Sequence, residues 1–388
     1  MTTIALCASG PARATNDGVL ARVPIQFERT QVRVPVSVNG SAPFILILDT
    51  GMPTRGVLLR HSERVNALGL DYPDSDEITG GGSGEAVAVR IATARQVTVG
   101  GMSIPDARII VLPPGAGLPL DVDGVIGAEL FERYAVRVDV DREELTLIDN
   151  AVFVPGAKST VVPMRLRDGK AFIDARVTVA NGEPVDADLA VDLGAGHSLW
   201  LNQGENGRLA PPAQTVERTL GRGLVGNITG SMARVRRLEI GDIAFENVVT
   251  LFPVEEHQHP GGVDFHDGFV GAGILTRFVV TYDYAAKRMV FERGGHFADP
   301  FEADMTGMIL DLRGIERRRV DGVLANSPAD QAGVEVGDVL VAIDGKSLVE
   351  LGPDGVAHAF ERDGADVRVT IERGGTTIEK RFRLRRLI

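Results

Sequence analysis

The sequence predicts a mainly β protein: two β-barrel lobes related by a pseudo-two-fold axis, followed by a small α+β domain. Three observations carry this. An apolar run ending in Asp-x-Gly occurs twice, at Asp49-Thr50-Gly51 and at Asp192-Leu193-Gly194. A second motif, Asp-Gly followed by two apolar residues and a glycine, also occurs twice, from Asp123 to Gly127 and from Asp267 to Gly271, at nearly the same spacing. Glycine makes up 46 of 388 residues, about 12% against a usual ~7%, a surplus that belongs in turns and close backbone approaches.

The elements of each copy follow in order. In the first, the alternating run Val32 to Val38 ends at Asn39-Gly40, a strong short hairpin signal. A second apolar run, Phe44 to Leu48, leads into Asp49-Thr50-Gly51. The glycine-rich stretch Thr79 to Gly84 reads as the tip of a hairpin. Asp123-Gly124-Val125-Ile126-Gly127 comes next, then a short helix-like stretch and the strand Ala135 to Asp139. The second copy repeats the plan: Asn181-Gly182, the run to Asp192-Leu193-Gly194, a glycine-rich stretch Leu220 to Gly226, the Asp267 to Gly271 motif, and the strand Phe278 to Asp283. Internal repetition at a constant offset is evidence of duplication rather than chance. The lobes are expected over 22–150 and 160–293, and a third unit over 305–388, after the loop Gly294 to Pro300.

Composition excludes several classes. With 44% hydrophobic residues the chain can bury real cores. Net charge is −12, which argues against a phosphate-backbone partner and predicts no nucleic-acid binding. One cysteine, Cys7, excludes a disulfide framework and a cysteine-based metal site. No apolar run reaches the ~18 residues of a membrane span. Residues 1–21 contain Thr3 to Ala8 followed by Ala12-Arg13-Ala14, which reads as the end of a secretory leader with a small-x-small cleavage site, although a charged n-region is missing. The expectation is a periplasmic or secreted protein, with a cytoplasmic one as the alternative.

A single Asp-Thr-Gly after a strand is commonly a turn, since Asp caps turns and Gly supplies positive φ. Duplication changes that reading. Two like lobes about a pseudo-two-fold bring equivalent loops face to face, and two adjacent carboxylates share one proton because both cannot ionise cheaply. Such a pair can take a proton from water while giving one to a carbonyl oxygen. In these motifs the chain resembles the retropepsin/pepsin-type aspartic proteases over residues 25–293. The resemblance implies acid-protease-type lobes, Asp49 and Asp192 as the catalytic dyad, and support from Thr50, Gly51, Leu193 and Gly194. It further implies two substrate-covering flaps, with Gly81, Gly82 and Gly84 in the first and Gly223 and Gly226 in the second. The chain departs from the family where Leu193 replaces a Thr or Ser and where Met52 follows Gly51.

The third unit runs from Val323 through Ser327-Pro328-Ala329 to Gly333, and on through Gly337-Asp338 to Asp344-Gly345. Ser327 with Pro328 is a helix N-cap followed by proline at the first helical position. This pattern is similar to a bacterial PDZ domain. The resemblance implies binding of a C-terminal peptide by strand addition, its carboxylate held at a loop matched here by Gly307, Met308 and Ile309.

Other motifs carry less. Gly221-x-Gly223-x-x-Gly226 lacks the strand and helix of a dinucleotide site. The segment Glu255 to Asp267 holds His257, His259 and His266 but reads as a solvated loop near the cleft rather than a metal site. His197 reads as packing rather than a base. The alternating basic end, Lys380 to Arg386, reads as a last strand. No cofactor or metal is expected, and two lobes in one chain favour a monomer. Two functions stay open: an aspartic endopeptidase with a PDZ domain for substrate or partner docking, or a catalytically weak or inactive peptide-binding protein that uses the same cleft.

Overall fold

The computed structural model describes residues 18–388, except 29, 53–54, 79–83, 117, 119–120, 204–206, 255–266, 312–315 and the side chain of residue 222. In the first lobe the strands are β1 (Val19–Pro24), β2 (Gln26–Glu28), β3 (Gln31–Val38), β4 (Phe44–Leu48), β5 (Val57–Leu59), β6 (Asp74–Ile78), β7 (Val87–Val99), β8 (Met102–Val111), β9 (Gly124–Ile126), β10 (Ala135–Asp139) and β11 (Glu144–Ile148). Short helices α1 (Glu63–Asn66) and α2 (Ala128–Phe131) lie between them. The second lobe holds β12 (Thr160–Pro163), β13 (Arg165–Arg167), β14 (Lys170–Thr178), β15 (Val185–Asp192), β16 (Leu199–Leu201), β17 (Val216–Gly223), β18 (Gly226–Ile240), β19 (Ile243–Pro253), β20 (Gly268–Gly271), α3 (Ala272–Leu275), β21 (Phe278–Asp283) and β22 (Arg288–Arg293).

Each lobe is built on an eight-stranded sheet, and the two sheets have one topology. The first runs β2-β3-β4-β9-β5-β8-β7-β6 and the second β13-β14-β15-β20-β16-β19-β18-β17, with extra closing pairs β3–β7 and β14–β18. Every strand of one corresponds to a strand of the other. Closing a sheet on itself removes exposed edges. The lobes are joined by a third sheet, β1-β11-β10-β21-β22-β12, in which β10 of one lobe pairs antiparallel with β21 of the other, Val136 opposite Tyr282. A continuous core of Val, Leu, Ile and Phe runs through both lobes and this shared sheet.

Local chemistry explains the turns. Asn39 (φ 50°) and Gly40 (φ 78°) take the left-handed conformation that a tight hairpin between β3 and β4 requires. The second copy differs from the expectation: Ala180 (φ 48°), not Asn181, is left-handed, and the turn closes through the Gly182 amide on the Val179 carbonyl. The turn therefore sits one residue earlier than Asn-Gly suggested. The strand β1 starts at Val19, inside the segment read as leader, and pairs with β11.

The C-terminal unit has its own core around Met308, Leu340, Phe360 and Val369. Its strands are β23 (Met308–Leu310), β24 (Arg318–Val323), β25 (Val339–Ile343), β26 (Lys346–Ser347), β27 (Asp366–Arg373) and β28 (Thr376–Arg383), with helices α4 (Pro328–Gln331) and α5 (Leu348–Phe360). Ser327 caps α4 with Pro328 in its first turn, as the sequence indicates. Among the described residues β23 is an edge strand, paired with β24 alone. No helix of the described residues is long and apolar enough to cross a membrane.

Candidate active site

The two Asp-x-Gly loops meet where the lobes meet. Each follows a strand held parallel to its apolar-apolar-Gly partner: Leu48 lies beside Ile126 in the first lobe, and Asp192 beside Gly271 in the second. The aspartates of the Asp-Gly motifs hold these strands in place. Asp123 Oδ2 accepts the Ile45 amide at 2.9 Å, and Asp267 Oδ2 accepts the Asp188 amide at 2.8 Å. These two carboxylates are structural and brace equivalent strands.

Asp49 and Asp192 face each other closely enough for each carboxyl to act on the protonation of the other. The approach is close on both sides. A methyl group on Gly51 would lie 2.4 Å from Asp192 Cγ, and one on Gly194 would lie 2.4 Å from Asp49 Cγ. Glycine is required at both positions because each carboxylate packs onto the opposite loop. Asp49 Oδ1 accepts the Gly51 amide at 2.7 Å, and Asp192 Oδ1 accepts the Ala195 amide at 3.0 Å.

Burial pushes the Asp49 carboxyl above its usual range, against the lowering effect of the Gly51 and Met52 amides and of the Asp192 carboxyl. Burial pushes Asp192 well above it, and the neighbouring Asp49 charge adds to the rise. The pair therefore keeps a proton above the pH at which an isolated carboxyl loses its own, and it titrates as a unit rather than as two independent acids.

Thr50 ties the loops together. Its hydroxyl donates to the Val191 carbonyl at 2.7 Å and accepts the Leu193 amide at 2.9 Å, and the residue is buried. The opposite position is Leu193, which has no hydroxyl and is buried in the core instead. The grip across the interface is made from one side only. Met52, after Gly51, joins an apolar cluster of the first lobe with Ile47, Leu58 and Val125.

Sequence reasoning missed Lys170. It opens β14 and is buried, next to Gly169, where an added methyl would touch Ala128 of the first lobe. Burial lowers its pKa to about 8, with Asp168, Asp192 and Asp49 opposing the shift. The lysine is still charged across the acidic range and lowers the Asp49 pKa. No pattern of spacing marks it. Only the meeting of the lobes brings it near the carboxyl pair. His197 stacks on Trp200 at 5.7 Å, beside Phe269, and burial lowers its pKa to about 4. It is a packing residue at neutral pH, as the sequence suggested.

Among the flap residues, Gly81 and Gly82 lie outside the described residues, as do His257, His259 and His266. Gly84 is described, and a methyl group on it would meet the Val225 carbonyl oxygen at 1.9 Å. Gly223 pairs with Gly226 across the tip of the β17–β18 hairpin, leaving Leu224 and Val225 at the turn. In the C-terminal unit Gly307 (φ 79°) has no room for a side chain against Ser327, Met308 is buried, and Ile309 pairs with Gly322. The Met308 amide donates to Thr306 Oγ1, and that hydroxyl donates to Asp304 at 2.6 Å. The loop before β23 is thus partly satisfied by the chain itself.

Comparisons with known proteins match parts of the chain. Residues 34–130 match the family described as aspartyl protease, and residues 319–373 match the PDZ domain. An aspartic proteinase from Irpex lacteus is similar in structure, with 17% identity and a TM-score of 0.46 over 72% of this chain and 98% of that one. No curated protein matches the chain. The chain carries an aspartyl-protease-type region and a C-terminal PDZ domain.

Proposed function

We propose that the protein is an aspartic endopeptidase. Asp49 and Asp192 share one proton, and a water held between them is the nucleophile. The ionised carboxylate of the pair takes a proton from that water. Its protonated partner gives its proton to the peptide carbonyl oxygen as the C–O bond forms, leaving a gem-diol. The proton taken from water then passes to the amide nitrogen, a gem-diol hydroxyl returns a proton to the carboxylate that gave one, and the C–N bond breaks, yielding a carboxylic acid, an amine and the pair with its single proton. No covalent enzyme intermediate is needed. The one observation that carries the reading is the reciprocal packing of each carboxylate on the opposite loop glycine.

The flaps cover an extended peptide and exclude water. The PDZ domain docks a peptide by strand addition to the β23 edge, next to Gly307, Met308 and Ile309, and brings substrate or partner to the cleft. Two lobes in one chain complete the site without a second copy, consistent with a monomer.

The test is hydrolysis of an unfolded protein substrate across pH 3–7 by the wild type, Asp49→Asn and Asp192→Asn. The expected result is cleavage by the wild type, with loss of all but a trace in either variant. Full activity in either variant overturns the dyad. Leu193 favours a second reading, a peptide-binding protein without turnover, because one half of the grip is missing. Equal peptide binding by the wild type and the double Asn variant, with no cleavage by either, would support it.

A further inference from the structure

The second flap reaches into the first lobe. Leu224, at the tip of the β17–β18 hairpin, packs against the apolar cluster of Ile47, Met52, Leu58, Ile78, Val89 and Ile110. This cluster belongs to the other lobe and adjoins the Asp49 loop through Met52 and Val125. A second observation agrees: the Val225 carbonyl comes so close to Gly84 that a methyl group there would lie 1.9 Å from it. At Gly84 the backbone of the second hairpin abuts the end of the first glycine-rich stretch.

We propose that Leu224 is a plug made by the chain itself. It fills the apolar subsite of the first lobe in the free protein, and a substrate side chain must displace it. The inference rests on the peptidase reading for its consequence but not for its geometry. The plug also identifies the side chain the subsite takes. Among the described residues its walls are branched aliphatic side chains and methionine, without an aromatic ring. The matching cluster of the second lobe is built on Phe172, Trp200 and Phe269. The first-lobe subsite therefore selects a leucine-like residue of the substrate, of the shape of Leu224. A binding-competent state that must first release its own plug lowers apparent affinity by the fraction of molecules in that state.

The test uses the full chain with Cys7→Ser, so that an introduced thiol is the sole one. Leu224→Cys is compared with Asn227→Cys, an exposed position on the same hairpin. We expect the thiol at position 224 to react with maleimide at least about tenfold more slowly, since local opening limits its access. A reduced-amide peptide carrying leucine should speed that reaction, and the same peptide with aspartate should not. Separately, Leu224→Ala should lower KM for leucine peptides about fivefold, as expected when a competing closed state is removed. Equal reactivity at the two positions overturns the plug, and so does protection that the leucine peptide fails to relieve. Release by the leucine peptide in a protein that cleaves nothing supports the plug while the peptidase reading fails.

Discussion

The two lobes share one strand order and nearly one spacing, yet they divide the work unequally. Lobe one brings Thr50, whose hydroxyl makes both hydrogen bonds across the loops. Lobe two brings Leu193, which buries its side chain in the core, and Lys170, the buried cation near the carboxyl pair. The equivalent buried clusters differ too, aliphatic residues and methionine in lobe one and stacked aromatic rings in lobe two. Duplication fixes what each copy must keep: the carboxylate, the glycine on which the other carboxylate packs, and the aspartate that braces the strand. Elsewhere the copies diverge: the Thr50 hydroxyl of lobe one serves the Val191 carbonyl and the Leu193 amide of lobe two, and Leu193 offers lobe one no such hydroxyl in return.

The largest effects should come where the lobes are still alike. Gly51→Ala and Gly194→Ala each place a methyl group 2.4 Å from the opposing carboxyl carbon. The carboxylates must separate, and a misplacement of about 1 Å costs on the order of 100-fold in turnover. Peptide hydrolysis should fall by that much in both variants, and equally. A variant that keeps wild-type turnover would break the symmetry claimed for the pair.

Thr50→Val sharpens the contrast next. It leaves the Leu193 amide and the Val191 carbonyl without the hydroxyl that serves both, at a cost of roughly 1–3 kcal/mol per unsatisfied buried group. Urea denaturation should show a loss of about 2–4 kcal/mol. Turnover should fall as well, because the loops that hold the carboxylates are no longer tied.

Much of this was legible in the sequence, for a physical reason. The Asp-x-Gly and apolar-apolar-Gly motifs mark positions where backbone comes too close for a side chain, and only glycine meets that demand. Chain order then identifies them in both copies, and Thr50 is recognisable as the residue able to bridge. What could not be read depends on contacts between lobes. Lys170 sits at an ordinary strand start, and nothing local signals its burial near Asp49. Leu224 is one apolar residue in a glycine-rich turn, and its role depends on a cluster that begins at Ile47, far away in the chain. The turn at Ala180 shows the reverse failure: Asn181-Gly182 is a sound local signal, but β15 starts only at Val185, and the tight turn forms one residue earlier.

The carboxyl pair makes a pH-dependent prediction. Burial and the Asp49 charge raise Asp192 in the folded state, so folding favours its protonated form. Its favourable contribution is complete below the unfolded carboxyl pKa and is lost as pH rises through the higher folded value. Asn cannot ionise. Asp192→Asn should therefore be more stable than the wild type at pH 7, and the gap should close toward about pH 3.5, below the unfolded value. Urea midpoints at the two pH values measure it. A gap that widens at low pH would mean that Asp192 is held ionised.

The smallest effect on activity is expected from making the lobes alike. Leu193→Thr supplies the missing hydroxyl, but Leu193 is fully packed in the core, and truncating a buried leucine typically costs a few kcal/mol. The new hydroxyl gains about 1 kcal/mol at most, and only if it meets the Leu48 carbonyl as Thr50 meets Val191. Stability should drop by roughly 1–3 kcal/mol on balance. Turnover should change by less than about fivefold, because Thr50 already sets the loop geometry and one neutral hydrogen bond of about 1 kcal/mol is worth roughly that factor. A rise well beyond that range would mean that the loops are loosely held in the natural protein, and that leucine was kept for packing at the expense of rate.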